Sequence, residues 1–411
     1  MHLKNIDLIA FITAYLFAIE TLNQVMGYIL GKDSGVMVIN VMIILSLLTV
    51  NFFFNRHSAV KKIGVKSSFF IGFYVIVFIF NILYYENSSI SSSELVVYCV
   101  LPMIVSASYS IQTEKILRYL TYLSLIILPF VSRFFSVDTL NADAGETIGM
   151  SSSYNIMVFT MAAILHFVYF RKQGNKILFA AYIANAFYLI KTIQYGTRGI
   201  FVCYMVLIFL IYFNKYDEHG MFVENGIKKL FILIVVLTAS IFVVWNFSSI
   251  LNSVNGFFTE QNVHIYALTK SIMQMEGGDL SNGRNMIVKF IIEGLKERLI
   301  TGHGIGMITH NSNGVIVYPH NIFLQLLYDL GMAVSLPLLY LIGKGIMLLT
   351  GSKRLKKEYA VALLLFFCTS VPKLCFSTQL WTSTAFWFMV MCLICRENFE
   401  QEEKNKLYTY R

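Results

Sequence analysis

Apolar residues run through most of this chain in blocks long enough to cross a bilayer, separated by short polar breaks. A hydrocarbon core takes roughly 20 apolar helical residues, with a range of about 17–25. By that measure spans are predicted near 7–30, 35–54, 68–85, 95–109, 116–136, 153–170, 177–195, 199–213, 230–250, 321–349, 359–377 and 379–395, twelve in all. The predicted fold is therefore all-α, a polytopic bundle of transmembrane helices. Residues 1–250 form an N-terminal bundle of nine spans, 251–319 a large outer loop, 320–395 the C-terminal spans and 396–411 a charged tail.

Two stretches depart from the simple alternation. Asn285–Ile300 reads as an amphipathic helix, with Ile287, Val288, Ile291, Ile292, Leu295 and Leu299 on one face and Lys289, Glu293, Lys296 and Glu297 on the other. Ser281 or Asn282 is its candidate N-cap. Such a helix lies along a membrane surface with its apolar face in lipid or against the bundle. The second stretch, 320–349, makes about 45 Å of helix against a core of about 30 Å. A short outer helix over 320–330 is predicted, with Gly331 marking where the chain enters the membrane and Asp329 kept out of hydrocarbon.

Composition supports the membrane reading: 57% of residues are hydrophobic and 13% charged, against about 25% charged in a soluble domain. With five Pro, many aromatics and long apolar runs, disorder, collagen and small disulfide scaffolds are excluded. The net charge of +9 matters less than its placement. With the N-terminus in the cytoplasm, most of the 32 Lys and Arg fall in cytoplasmic loops, while the outer connections at 86–94 and 137–152 carry acid and serine. Both termini are predicted cytoplasmic. The first apolar stretch is too long for a signal h-region and has no small-residue cleavage site, so it reads as a retained helix. All six cysteines lie in predicted spans, so no disulfide framework is implied, and Cys392-x-x-Cys395 reads as chance. The two halves are unequally spaced, which counts against a transporter built from duplicated halves.

Candidate chemistry gathers on the predicted outer side. Arg284 opens the amphipathic helix, where free N–H groups and the dipole favour an anion. Next comes Thr301-Gly302-His303-Gly304-Ile305-Gly306; it follows no strand, so it is not a dinucleotide site, and its glycines suit a close backbone approach. His320 and Asn321 stand at a helix start facing the loop that carries Arg284. Arg198 lies in the short hairpin Tyr195-Gly196-Thr197-Arg198-Gly199, whose glycines imply a tight turn. Lys191, one to two turns earlier, reads as a cation snorkelling to headgroups, and Lys373 is a further candidate for the same anion. Glu20 and Arg133 are costly in lipid and are expected to face protein or water, with no chemical role assigned to either. The four outer histidines, His264, His303, His310 and His320, lack i,i+4 ligand spacing beside a carboxylate, so no metal is expected. No carboxylate spacing suggests a glycosidase pair.

Three pieces in this order resemble the family of O-antigen polymerases and O-antigen ligases, bacterial membrane glycosyltransferases. They are TRG at 197–199 opening a span, GR at 283–284 followed by an amphipathic stretch and G-x-G at 304–306, and PHN-x-x-L-Q-x-L-x-x-x-G at 319–331. The motifs cover about 60 residues, and the layout with a large outer loop before the tenth span extends the likeness to most of the chain. The Arg-x10-Gly pattern of some polymerases is not met: Phe209 stands at that offset from Arg198, and Gly294 comes one residue early after Arg284.

The resemblance implies a multi-pass protein of the bacterial cytoplasmic membrane with its active site on the periplasmic or outer face. The implied substrate is a glycan on undecaprenyl diphosphate. The reaction implied is inverting, with no cofactor, metal or nucleotide sugar. By that likeness Arg198 and Arg284 stabilise the leaving diphosphate and His320 activates the acceptor hydroxyl. Asn321, Lys191, Lys373, His303 and Gly304 are the candidate substrate-binding residues. Partners implied are membrane lipid and a chain-length regulator protein, with no nucleic acid. The HNIFLQLLYDLG wording is closer to polymerases, giving O-antigen or capsular polymerisation first and transfer of polymer to lipid A core second. The tail after Cys395 argues against a protein oligosaccharyltransferase, which carries an additional C-terminal domain. A lipid-linked glycan flippase is the rival from another class, but its ionisable residues belong near mid-membrane.

Overall fold

The computed structural model describes residues 5–31, 35–54, 63–135, 148–171, 175–195, 198–217, 220–223, 247–261, 268, 272, 284–351 and 354–399. Within them the regular elements are helices apart from one hairpin. In order come α1 (Asn5–Phe17), α2 (Ile19–Leu30), α3 (Val36–Phe54), α4 (Val65–Tyr84), α5 (Ser92–Ser108, with a π-turn at Leu95–Val100) and α6 (Thr113–Phe134). Then follow α7 (Ile148–Phe170), α8 (Lys176–Tyr195), α9 (Arg198–Phe213), the hairpin β1 (Asn214–Asp217) and β2 (Gly220–Val223), and α10 (Phe247–Glu260). The last elements are α11 (Arg284–Arg298), α12 (Met307–Asn311), α13 (Ile322–Thr350), α14 (Lys357–Phe376), α15 (Thr384–Ile394) and α16 (Arg396–Phe399).

Among the described residues, 7 helices are long and apolar enough to cross a membrane, or 8 if the bent pair α1–α2 is one span. The chain is thus a multi-pass membrane protein, and among the described residues not all of the twelve expected spans are met. Three predicted spans correspond to shorter apolar helices, Ser92–Ser108, Gly199–Phe213 and Thr384–Ile394. The span expected at 230–250 lies almost wholly outside the described residues. The first span is not continuous: the axis turns by 76° between α1 and α2. Ala18 at the bend has φ −93° and ψ 5°, which leaves Glu20 in the first turn of α2, where an acid is favoured. The antiparallel pairing of β1 and β2 was not foreseen from the hydrophobic pattern.

Packing follows the hydrophobicity. Every residue of α14 from Tyr359 to Leu374 is buried, as is every residue of α15 from Thr384 to Leu393. Helices apolar all round belong at the centre of a bundle. By contrast α3 and α4 leave Val38, Met42, Phe53, Phe69, Ile76 and Leu83 exposed, an apolar surface suited to lipid.

Gly331 interrupts α13, at φ 68° and ψ 173°, a conformation essentially reserved for glycine. A break in a helix orphans carbonyls before it and N–H groups after it. Here the segment around Gly302 takes up both sets. His303 N donates to Tyr328 O at 2.7 Å and Gly304 N to Asp329 O at 3.0 Å. In return Met332 N donates to Leu299 O at 2.7 Å. The glycine-rich turn therefore passes close to the helix break. It is held from its other side by the serine-rich connection after α4: Ser88 Oγ donates to Ile305 O at 2.8 Å and Ser89 Oγ to Gly306 O at 2.9 Å.

Helix α11 forms one residue earlier than expected and packs on the first segment of α13. Ile287, Phe290, Ile291 and Leu295 meet Leu324, Tyr328, Ile308 and Ile316. The inward stripe is rotated from the expected one, because Ile292 and Leu299 are exposed while Phe290 turns in. Gly294 lies on the inward side, where a Cβ would stand 2.7 Å from the Tyr328 ring. The N-cap residues expected for this helix, Ser281 and Asn282, fall outside the described residues.

Candidate active site

The C-terminus of α14 is where the three sequence motifs meet. Carbonyls in a helix's last turn have no intrahelical partner and carry partial negative charge. The Phe376 carbonyl is one of these. Arg284 Nη2 donates to it at 2.9 Å, and His320 Nδ1 lies 3.3 Å away. Gly199 passes the same residue so closely that a Cβ would stand 2.9 Å from Phe376 Cβ and 2.1 Å from the Tyr154 hydroxyl. Residues separated by more than a hundred positions are thus collected around one residue.

Each partner is placed by local structure. Arg284 is the first residue of α11, whose inward stripe fixes it against α13. His320 follows Pro319 and adopts a left-handed backbone at φ 53°, an uncommon conformation for a residue with a side chain. Asn321 then caps α13, its Oδ1 accepting from Phe323 N at 3.0 Å and Leu324 N at 3.2 Å. The Tyr318 ring centroid lies 4.3 Å from that of His320.

Electrostatics sets the form of the histidine. A carbonyl only accepts, so the contact to Phe376 requires a proton on His320 Nδ1. The neutral imidazole then carries its free lone pair on Nε2. Burial first, and the Arg284 guanidinium second, hold the His320 pKa below its ordinary value, against a smaller opposing effect of the Phe376 carbonyl. The ring is therefore neutral at pH 7 and basic at Nε2.

One turn deeper on α14, Lys373 Nζ donates to Glu20 Oε2 at 3.4 Å and lies 5.8 Å from the Tyr154 ring centroid. Glu20, placed by the α1–α2 bend, thus faces protein. Arg133 Nη1 donates to Tyr28 O at 3.2 Å.

The remaining sequence candidates divide. Arg198 opens α9 beside Gly199, while its side chain lies outside the described residues. Lys191 Nζ lies 5.7 Å from the Phe187 ring centroid and 5.5 Å from that of Tyr195, consistent with a cation at an aromatic belt. His303 is buried, stacked on Tyr328 at 4.4 Å, with Nε2 2.9 Å from Gly294 O. Its backbone N–H also donates to Tyr328 O beside the helix break. Gly304, at φ 101°, has the Tyr85 ring where a Cβ would stand. The Asn321 oxygen is committed to its cap. Among the described residues no group of three or more His, Cys, Asp or Glu is placed to hold a metal ion.

Other site residues had no sequence signal. Phe376 contributes a backbone oxygen, so its side chain does not advertise the role. The loop that follows it is anchored to α13 by Trp381 Nε1 donating to Asp329 Oδ2 at 2.6 Å and Leu380 N donating to Gln325 Oε1 at 3.1 Å. These bonds close a ring from His320 along α13 and back to Phe376. Trp381→Phe removes the donor and leaves a buried acceptor unsatisfied. The expected cost is about 1–3 kcal/mol, read as a lowered melting temperature of the purified protein.

No protein-family model matches the chain, and no curated protein matches its sequence at a significant level.

Proposed function

We propose that the chain is a membrane glycosyltransferase that polymerises undecaprenyl-diphosphate-linked oligosaccharide repeat units, as in O-antigen or capsule synthesis. The observation that carries the reading is the meeting of Arg284, His320 and Gly199 at Phe376. A cation, a neutral base and a close backbone approach are what displacement of a diphosphate by a hydroxyl requires. In this reading the site opens to the outer face of the cytoplasmic membrane, with both termini cytoplasmic and twelve spans in all.

The mechanism has two parts. Breaking the sugar–phosphate bond develops charge on the departing diphosphate, which Arg284 is placed to stabilise with its planar fork. Arg198, at the start of α9, is the second cation of the proposal. The acceptor sugar hydroxyl loses its proton to His320 Nε2 as its oxygen attacks the anomeric carbon, inverting that centre. The Phe376 carbonyl holds Nδ1–H and so leaves Nε2 free to take that proton. Neither a metal nor a nucleotide sugar takes part.

The pH profile is a direct consequence. Because the His320 pKa lies below its ordinary value, turnover is expected to persist below pH 6.5 and to fall only as pH drops through the lowered value. Arg284→Gln removes a cation that disfavours the imidazolium, so the acid limb of its residual activity is expected at higher pH. An unmoved limb in a kcat/KM profile contradicts the coupling.

The surface-glycan ladder of a strain lacking this gene, with lipid-linked intermediates extracted in parallel, tests the function. Collapse to a core bearing one repeat unit supports polymerisation. A bare core with long polymer on the carrier indicates a ligase, and a bare core with single units trapped on the inner leaflet indicates a flippase.

A further inference from the structure

Lys373 is 5% exposed, yet its ammonium has one hydrogen-bond acceptor among the described residues, Glu20 Oε2. That contact is 3.4 Å, beyond the roughly 2.7–2.9 Å of a well-formed charge-assisted bond. An ammonium carries three donors, and a buried cation with so few acceptors is costly unless another anion completes its shell. The Glu20 side chain, by contrast, is 28% exposed. Lys373 stands three residues before Phe376 on α14, so the two share one helix face. Tyr154 joins them, its ring beneath Lys373 Nζ and its hydroxyl against Gly199. The under-coordinated cation therefore lies one helical turn below the oxygen that receives Arg284 and His320.

We propose that Lys373 is a shared cation, for which Glu20 competes with the diphosphate of the lipid-linked donor. This rests on the polymerase reading, and it assigns Glu20 a role as an internal counter-anion. When the diphosphate binds, Lys373 exchanges Glu20 for a phosphate oxygen, and Glu20 turns to solvent. When the free carrier diphosphate leaves, Glu20 takes Lys373 back, which weakens product retention. The carboxylate also stands at the α1–α2 bend, so the exchange loosens the tie between that bend and α14.

Titration of farnesyl diphosphate, a short polyprenyl diphosphate, into the purified full chain in detergent tests this by calorimetry. Glu20→Gln is expected to bind roughly two- to fivefold more tightly than the unmodified protein, the scale of a partly exposed ion pair. Lys373→Gln is expected to bind at least roughly tenfold more weakly, the scale of a lost charged hydrogen bond. In the Lys373→Gln background, adding Glu20→Gln is expected to change nothing, because the competition then has no object. Equal or weaker binding by Glu20→Gln overturns the proposal. Equal tightening with and without Lys373 also overturns it, since Glu20 would then repel the ligand directly. Each variant is first shown monodisperse; Glu20→Asp, which keeps the charge and lengthens the contact, replaces Glu20→Gln if the latter does not fold, with tightening again expected. Absence of binding by the unmodified protein would instead count against the polymerase reading itself.

Discussion

Replacing His320 by alanine is expected to slow turnover by about 10²–10⁴-fold, the usual cost of losing a positioned general base. The expectation rests on geometry. His320 is held by the Phe376 carbonyl on one nitrogen, which leaves the other as a base, and burial with the nearby Arg284 keeps the ring neutral. In the proposed mechanism the base acts on the acceptor in the transition state, so kcat is expected to fall while donor binding changes little. Arg284→Ala is expected to cost about 10²–10³-fold, the scale of a lost donor to a developing negative charge. The check is polymer formed per unit time from lipid-linked repeat units, with donor affinity measured on the same preparations. Loss of donor binding together with loss of rate in His320→Ala would assign the histidine to binding or to structure instead.

Gly331→Ala is expected to destabilise the protein by about 3–5 kcal/mol, enough to prevent recovery of folded material from the membrane. The backbone there has φ 68° and ψ 173°, which side chains do not adopt without strain. A Cβ would also stand 2.2 Å from Ile300 O and 2.4 Å from Gly302 N, both backbone atoms with nowhere to go. Gly302 faces the reverse contact, its own Cβ position being 2.4 Å from Gly331 N. Gly343→Ala is the control: it lies in the same helix with nothing within 4 Å of the added carbon, so no loss of folded protein is expected. Monodisperse yield after detergent extraction distinguishes the two, and equal yields would contradict the assignment of Gly331 as the break.

Much of this was legible from residue pattern alone. The excess length of 320–349 and the glycine at 331 foretold a broken helix, because a straight one overshoots the bilayer. The glycine-rich turn at 301–306 foretold a close approach, although its partner, the break itself, emerges only when chain segments are brought together. Arg284 and His320 were singled out by position, one opening an amphipathic helix and the other at a helix start facing it, and the structure brings both to Phe376. The Phe376 oxygen was not, since a backbone acceptor at a helix end leaves no mark on residue type. Glu20 was recognised as costly but had no evident partner: Lys373 is 353 residues away, and the bend that aims one at the other follows no proline or glycine. The twelve expected spans are met only in part among the described residues, for a related reason. Hydropathy registers apolar runs such as 95–109 and 379–395, but not the π-turn in the first or the late start of α15 in the second.

The most direct measurement is turnover by the purified protein in lipid vesicles supplied with undecaprenyl-diphosphate-linked repeat units as donor and acceptor. Neither nucleotide sugar nor divalent metal is added. The expected result is elongated lipid-linked glycan with stoichiometric release of undecaprenyl diphosphate, and near loss of both products in His320→Ala and Arg284→Ala preparations. Absence of elongation by the unmodified protein, or undiminished elongation by both variants, would contradict the account.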